Sequence, residues 1–252
     1  MAEDRQHETT GDRNGSTLLV FTLAPARERA RRRLLPRRLG SWEVAIYRGC
    51  LDATLAAGRV SGCSLSVCAP RRLPLPDDVE QFAQQGSSFG ERLRRAVARR
   101  SPMPGRPLVV VGSDTPGLEP RHVADALERL ARRPERLVVG PSPDGGFYLL
   151  AAAFPVDELL AEVAWRRRDT LSSLLAAARA RGIAVSLLGP LADLDRRADL
   201  DGWLARRPAP SPTWLQALTA LLRRLRRPPS PAALGRARPG RLALVAARGP
   251  PS

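Results

Sequence analysis

The sequence contains no lysine, only three cysteines and few aromatic residues, which make up 4% of its 252 residues. No stretch approaches the ~18 uninterrupted apolar residues of a membrane-spanning helix, so we expect no integral membrane protein. The polar, mixed-charge start before Leu18 lacks the pattern of a secretory signal. Cys50, Cys63 and Cys68 are too few for a disulfide framework and lack the spacing of a zinc knuckle. These absences predict a globular, cytoplasmic protein.

Arginine supplies all of the basic side chains. The 41 basic residues outnumber 25 acidic ones, which gives a formal net charge of +16. Ten arginines lie within residues 203–252, and seven lie within residues 27–38. This charge is compatible with a polyanionic partner. Because the aromatic platforms and recognition motifs of nucleic-acid-binding proteins are missing, we expect no nucleic-acid partner.

Short apolar strands alternate with helical patterns, which predicts an α/β fold with a mostly parallel sheet. The folded domain is predicted to span residues 17–227, between a disordered start at 1–16 and a disordered basic tail at 228–252. The basic segment 27–38 is predicted to be a loop. The predicted strands are 17–23, 62–69, 107–111, 137–140, 147–153 and 183–188. The predicted helices are 41–57, 88–100, 119–133 and 169–181, with short helices beginning near Arg197 and Thr213.

The apolar strand Val109–Val111 runs directly into the segment GSDTPG, residues 112–117. In open α/β sheets, ligands bind beyond the carboxyl ends of the strands. An acid placed there is unfavourable unless it has a partner, and Mg²⁺ on a diphosphate is one such partner. Asp114 is therefore a candidate metal ligand. A capping aspartate that opens the next helix explains the same pattern about as well.

The segment GPSPDGGFY, residues 140–148, joins two predicted strands. A Pro-Asp-Gly-Gly turn is ordinary hairpin chemistry. Paired glycines beside an acid also offer a flat backbone wall against which a sugar or a base can lie. No signal in the sequence identifies a general base, and Asp144 is the candidate that this segment offers.

Two weaker signals lie outside these segments. Asp193 and Asp195 are two residues apart in a predicted extended segment, so their side chains point the same way and suit a shared cation. Alternatively, Asp195 or Asp199 caps the helix that follows. In QGSSFGER, residues 85–92, the S-x-x-E pattern of residues 88–91 is typical of a helix start.

Taken in order, the segments QGSSFGERL, GSDTPGL, GPSPDGGFYLL and ADLDRRADL resemble the bacterial glycosyltransferase-A-like proteins. That family is described as cofactor-guanylyltransferase-like, or as arsenosugar-biosynthesis or radical-SAM/selenodomain-associated glycosyltransferases. The resemblance spans about residues 17–225. It implies a Rossmann-like GT-A fold of the nucleotide-diphospho-sugar transferase superfamily, a three-layer α/β/α structure. It also implies Mg²⁺ or Mn²⁺ held by Asp114 together with Asp193 and Asp195.

The same resemblance implies a nucleotide-activated donor and a small-molecule acceptor. Gly145 and Gly146 would face the bound donor or acceptor, and Gly86, Arg92 and Ser113 would contact the nucleotide or its phosphates. The implied function is metal-dependent glycosyl transfer from a nucleotide sugar. A nucleotidyltransferase that releases pyrophosphate from a nucleoside triphosphate would use the same residues and is the alternative.

The segment after the first strand departs from the family pattern. Family members carry Pro-x-x-Gly-x-x-Lys-Thr-Arg-Leu, whereas residues 25–34 read PARERARRRL. Glu28 occupies the place of the glycine, and Arg31 that of the lysine. Arg27, Arg31 and Arg33 remain candidate phosphate ligands, since a guanidinium binds phosphate through paired hydrogen bonds. The carboxylate would repel the donor, which leaves a catalytically impaired homologue as a further alternative.

Overall fold

A computed structural model describes residues 15–32 and 34–206 of the protein. These residues form seven strands and seven α-helices, and a short 3₁₀ helix, Arg37–Leu39, precedes the second α-helix. The strands are β1 Thr17–Phe21, β2 Ser64–Ala69, β3 Val79–Ala83, β4 Leu108–Val111, β5 Leu137–Pro141, β6 Phe147–Ala152 and β7 Val185–Leu187. The helices are α1 Pro25–Arg32, α2 Gly40–Val60, α3 Phe89–Arg100, α4 Pro120–Arg132, α5 Asp157–Ala161, α6 Thr170–Ala180 and α7 Arg197–Arg206.

Several sequence predictions fall outside the described residues. They concern the start of the chain at 1–14, the tail at 228–252, the helix near Thr213 and the candidate phosphate ligand Arg33. Among the helices that the structure describes, none has the length and apolar character needed to cross a membrane.

The seven strands form one sheet in the order β3-β2-β1-β4-β6-β5-β7. Strand β1 is parallel to both of its neighbours, β2 is parallel to β3, and β5 is parallel to β7. Strand β6 is antiparallel to both β4 and β5. This topology confirms the predicted α/β class with a mostly parallel sheet. Strand β3 and the one-turn helix α5 were not predicted.

Side chains alternate between the two faces of the sheet, as the period of two along a strand requires. On β4, Val109 and Val111 pack with residues of α2 and α4, whereas Leu108 and Val110 pack with α3, α5 and α6. Helices therefore cover both faces of the sheet. The three-layer α/β/α architecture is confirmed.

The described chain divides into two compact units. The first comprises residues 15–24 and 51–193 and includes the whole sheet. The second comprises residues 25–50 and 194–206. It has an apolar cluster of its own, whose buried members are Leu34, Leu35, Leu39, Trp42, Ile46, Tyr47, Cys50, Leu194 and Leu200.

The prediction of a loop at 27–38 is wrong, because this segment contains most of α1 and the start of the 3₁₀ helix. Pro25 is the first residue of α1, a position where its missing N–H removes no helical hydrogen bond. Alanine and arginine, which fill most of the helix, have high helix propensity. On this helix Glu28 is only 5% exposed, while Arg27 and Arg31 are exposed.

Candidate active site

The carboxyl ends of the parallel strands bring polar loops to one edge of the sheet. Thr22 follows β1 and Ser113 follows β4, and the hydroxyls of these two buried residues share a hydrogen bond. The side-chain amide of Gln84, just after β3, donates to the carbonyl oxygen of Thr22 at 2.9 Å and to that of Cys68 at 3.2 Å. These contacts tie the ends of four adjacent strands together.

Asp193 connects the segments that follow β4, β5 and β7. Its Oδ1 accepts a hydrogen bond from Oγ1 of Thr115 at 2.5 Å, and its Oδ2 accepts one from Oγ of Ser142 at 3.2 Å. Both hydroxyl residues are buried, with exposures of 3% and 5%. The backbone N–H of Leu191 donates to the carbonyl oxygen of Pro141 at 3.1 Å, which fixes the chain before Asp193. The carboxylate of Asp193 is therefore held in a defined position at the strand edge.

Asp114 lies between Ser113 and Thr115, the two residues whose hydroxyls make the bonds described above, and is itself half-buried. Its side chain folds back toward Gly112, where a β-carbon would lie only 2.7 Å from Oδ1 of Asp114. Glycine at 112 therefore leaves room for this carboxylate. Asp114 is thus the neighbour of Thr115, the residue that donates a hydrogen bond to Asp193. The roles of Asp114 and Asp193 as metal ligands stay a prediction.

The turn between β5 and β6 is built by Asp144 and its two glycines. Oδ1 of Asp144 accepts a hydrogen bond from the backbone N–H of Gly146 at 3.0 Å. Gly145 has φ of 90°, and a β-carbon there would lie 1.7 Å from the carbonyl oxygen of Arg168, so only glycine fits. Asp144 is exposed, and this hydrogen bond gives it a structural role in the turn. Its assignment as a base stays a prediction.

The segment before α3 combines two of the predicted phosphate contacts. Nη1 of Arg92 donates to the carbonyl oxygens of Gly86 and Ser87, each at 3.4 Å. Gly86 has φ of 135°, a conformation that favours glycine. Oγ of Ser88 accepts from the N–H of Glu91 at 3.1 Å, which confirms the predicted helix start. Binding of a nucleotide by Gly86 and Arg92 stays a prediction.

The remaining predicted residues belong to the second unit. Arg27 and Arg31 are exposed on α1. Asp195 is exposed, and its backbone N–H donates to Oδ2 of Asp199 at 3.1 Å. Asp199 also accepts from the N–H of Arg196 at 2.7 Å, so it serves the start of α7, the alternative role that the sequence offered.

His122 and Tyr148 lie near this edge with their ring centroids 6.2 Å apart. Nδ1 of His122 accepts a hydrogen bond from the N–H of Glu119 at 3.0 Å, and burial, then the charge of Arg121, lower the pKa of His122. Burial raises the pKa of Tyr148 to about 12, and its hydroxyl donates to the carbonyl oxygen of Gly189 at 3.0 Å. His122 thus supports the start of α4, and Tyr148 is a hydrogen-bond donor at neutral pH.

Sequence reasoning missed the residues that hold the site together. Their positions could have identified three of them, because Thr22, Thr115 and Ser142 each follow a strand directly or lie within a motif. Gln84 gave no such signal, because strand β3 before it was not predicted. These side chains fix loops and carboxylates in place.

The described residues contain no group of three or more His, Cys, Asp or Glu side chains that could hold a metal ion. Mg²⁺ usually takes only one or two protein carboxylates and completes its coordination with phosphate oxygens and water. Carboxylate oxygens are also the ligand type that suits Mn²⁺. Asp114 and Asp193 supply two carboxylates of this type in segments that the bond from Thr115 joins, and binding of a cation by them stays a prediction.

Residues 45–167, just under half of the chain, match the family described as "Uncharacterized protein conserved in bacteria (DUF2064)". Among solved structures, the "putative nucleotide-diphospho-sugar transferase from Desulfovibrio desulfuricans G20" is 23% identical with a TM-score of 0.67, covering 84% of this chain and 98% of that one. Rv0371c from Mycobacterium tuberculosis H37Rv is 19% identical with a TM-score of 0.51, covering 76% and 99%. No curated protein matches the sequence.

At these identities the structural likeness concerns the fold. The mostly parallel sheet, the helices on both of its faces and the matched structures agree with the resemblance drawn from the four motifs. The chain shares the GT-A-like α/β/α fold of these matched structures, and its residues 45–167 match the DUF2064 family.

Proposed function

We propose that this protein is a metal-dependent transferase that uses a nucleotide-activated sugar donor. The observation that carries the proposal is the position of Asp193, whose carboxylate is held by Thr115 and Ser142 at the carboxyl edge of the sheet. Asp114 lies next to Thr115 on the same loop. Open α/β sheets bind ligands at this edge, and two carboxylates there suit a cation that carries a diphosphate.

Asp114 is the proposed metal ligand, and Asp193 is the proposed second one. When bound, Mg²⁺ or Mn²⁺ would neutralise the negative charge that develops on the leaving nucleotide. Asp193 is also proposed to position Asp114, because the hydrogen bond between Thr115 and Asp193 fixes the loop that carries Asp114 and Thr115. The third ligand implied by the resemblance, Asp195, stays a prediction.

Arg27 and Arg31 are the proposed phosphate ligands of the donor, with Arg33 assigned by the resemblance alone. Both described arginines are exposed on α1, where their guanidinium groups are free to reach solvent anions. The sequence suggested that the Glu28 carboxylate would repel the donor. Glu28 is buried, so its carboxylate does not lie on the surface beside Arg27 and Arg31. This supports an active rather than an impaired homologue.

Gly145 and Gly146 are proposed to face the donor or the acceptor. The close packing of Gly145 on the backbone of Arg168 holds this turn in one conformation. Gly86, Arg92 and Ser113 are the remaining proposed nucleotide contacts, and Asp144 is the proposed base.

The proposal is tested by thermal shift and product analysis on one set of samples. Three proteins are compared: the intact protein, Asp114→Asn and the matched control Asp77→Asn, which changes an exposed residue before β3. Each is incubated with sugar nucleotides and with nucleoside triphosphates, with and without Mg²⁺ or Mn²⁺. We expect a cation-dependent rise in Tm for the intact protein and the control, because a ligand that binds only the folded state stabilises it. The rise should be absent in Asp114→Asn.

Release of a nucleoside diphosphate supports glycosyl transfer, whereas release of pyrophosphate would replace it with nucleotidyl transfer. If no nucleotide raises the Tm of the intact protein with either cation, the proposed function is wrong.

A further inference from the structure

The amino edge of the sheet, opposite the candidate active site, contains a cavity of about 170 Å³. It lies where strands β1, β2 and β4 begin, so Thr17, Ser64 and Leu108 contribute to its wall. The end of α3 and the turn that follows it provide the rest. Among the described residues that line the cavity, none is acidic and three are arginines.

The three arginines are Arg99, Arg100 and Arg106. The guanidinium groups of Arg99 and Arg100 lie over the ring of Phe82, 4.8 Å and 5.3 Å from its centroid. Stacking of this kind holds an arginine side chain without neutralising its charge. The charge of Arg100 is balanced by an ion pair with Glu80. Within the described residues, Arg99 and Arg106 make no ion pair.

Ser101 closes the cavity at the end of α3 in an unusual backbone conformation. Its φ is 38°, in the left-handed region that residues other than glycine seldom adopt. The N–H of Ser101 donates to the carbonyl oxygen of Val97 at 2.9 Å, so the strained residue ends the helix while also lining the cavity. A left-handed residue is a common way for a helix to end, and here it places Ser101 in the wall of the cavity.

We propose that this cavity binds a small phosphate-bearing anion. Arg99 and Arg106 both contribute to the wall of the cavity, and a guanidinium is the group that matches phosphate geometry best. Ser64 and Ser101 add hydroxyl groups to the wall. The volume is below the ~300 Å³ at which pockets for drug-sized ligands begin, so it suits a phosphate group with a small organic substituent better than a whole sugar nucleotide.

This site is separate from the candidate active site. Strand β1 has five residues and begins at this cavity, while its carboxyl end leads to Thr22 at the other edge. At ~3.3 Å per residue the two edges are ~16 Å apart. The anion bound here is therefore not the group that reacts at the carboxyl edge, and the inference does not depend on the proposed transferase function.

The test is isothermal titration calorimetry at constant ionic strength and without divalent cations. The probes are inorganic phosphate, glycerol 3-phosphate and uncharged glycerol, titrated into the intact protein and into the double variant Arg99→Gln/Arg106→Gln. The matched control, Arg121→Gln/Arg132→Gln, removes two arginines that are 73% and 74% exposed on α4. Far-UV circular dichroism and the Tm without ligand show whether each variant is folded.

We expect saturable binding of both phosphates, at least ~10-fold weaker binding in the double variant and unchanged binding in the control. Tighter binding of glycerol 3-phosphate than of inorganic phosphate would identify a phosphomonoester as the ligand, and equal binding would identify the free anion. The proposal is overturned if neither phosphate binds saturably, if glycerol binds as well as glycerol 3-phosphate, or if the folded double variant binds like the intact protein. A failure of the transferase proposal would appear separately, as an absence of nucleotide binding.

Discussion

The two edges of the sheet are built from the same strands and have opposite chemistry. At the carboxyl edge, hydroxyls hold the carboxylate of Asp193 next to the loop of Asp114. At the amino edge, arginines line a cavity, and no acidic residue is among the lining residues that the structure describes. Helix α3 runs between the two edges, from its start at Ser88 to its end at Arg100. Its carboxyl end favours cations, which accounts for part of the positive charge there.

The comparison shows that the acids at the carboxyl edge need a separate explanation. Helix amino ends lie at that edge and favour anionic groups, including the phosphates of a ligand. Two carboxylates placed there would repel such phosphates unless a cation joins them. We therefore expect the two edges to respond differently to substitution.

The largest difference in transferase activity is expected between the variants Asp114→Asn and Arg106→Gln. Loss of the Asp114 carboxylate should lower transferase activity by ~100-fold or more, equivalent to ~3 kcal/mol, because the metal loses a protein ligand. Arg106→Gln, measured without added phosphate, should leave activity unchanged. The measurement is initial rate of donor consumption for both variants, with Tm as the control for folding. Equal losses of activity in the two variants would show that the reaction does not depend on the carboxyl edge alone.

The glycines of the two edges give a second contrast, in stability. Gly145 and Gly105 both have positive φ, 90° and 78°, but a β-carbon at Gly145 would meet the oxygen of Arg168, whereas one at Gly105 would meet nothing within 4 Å. Gly105→Ala should therefore cost only the conformational term, about 1 kcal/mol. Gly145→Ala should cost roughly 3 kcal/mol, because backbone must move. Urea unfolding measures both, and similar midpoints for the two variants would refute the packing argument.

A third contrast lies within the carboxyl edge. Thr115→Val removes a hydroxyl 2.5 Å from Asp193, and Ser142→Ala removes one at 3.2 Å. Hydrogen bonds to charged groups contribute about 1.5–3 kcal/mol, so Thr115→Val should lower the free energy of unfolding by about 2 kcal/mol. Ser142→Ala should lower it by about 1 kcal/mol, since the longer bond is weaker. The reverse order in denaturant unfolding would mean that Ser142, not Thr115, holds the carboxylate.

The smallest expected effect is the pH dependence linked to His122. Burial lowers the pKa of His122 in the folded state. The unfolded state therefore binds a proton first as the pH falls through about 6.5, and stability should decrease until the folded-state pKa is reached. His122→Gln should flatten this decrease by under about 1 kcal/mol. An NMR titration that places the pKa of His122 at or above 6.5 would contradict the expected sign.

The fold was largely predictable because its strongest elements are local. Strand β4 is four apolar residues followed by a glycine, and Ser88 begins a helix with an acid three residues later. Strand β3 escaped prediction because it is short, only partly buried and preceded by a proline-rich segment. Helix α1 was missed because its run of arginines was interpreted as a basic loop, although alanine and arginine have high helix propensity.

The candidate site was predictable only in part. The motifs identified Asp114 and Asp193 as acids at strand ends, because position along the chain carries that information. The bond between Thr115 and Asp193 joins residues 78 positions apart, so it depends on the tertiary fold. The burial of Glu28 likewise depends on tertiary packing and could not be predicted from a charge pattern.

The central claim is that Asp114 holds a divalent cation that arrives with a nucleotide. Electron paramagnetic resonance of Mn²⁺ measures this directly, with protein and the nucleotide that gives the largest thermal shift. The account predicts stoichiometric binding of Mn²⁺ to the intact protein and to Asp77→Asn, and at least ~10-fold weaker binding to folded Asp114→Asn. Equal Mn²⁺ affinity in Asp114→Asn and the intact protein would contradict it.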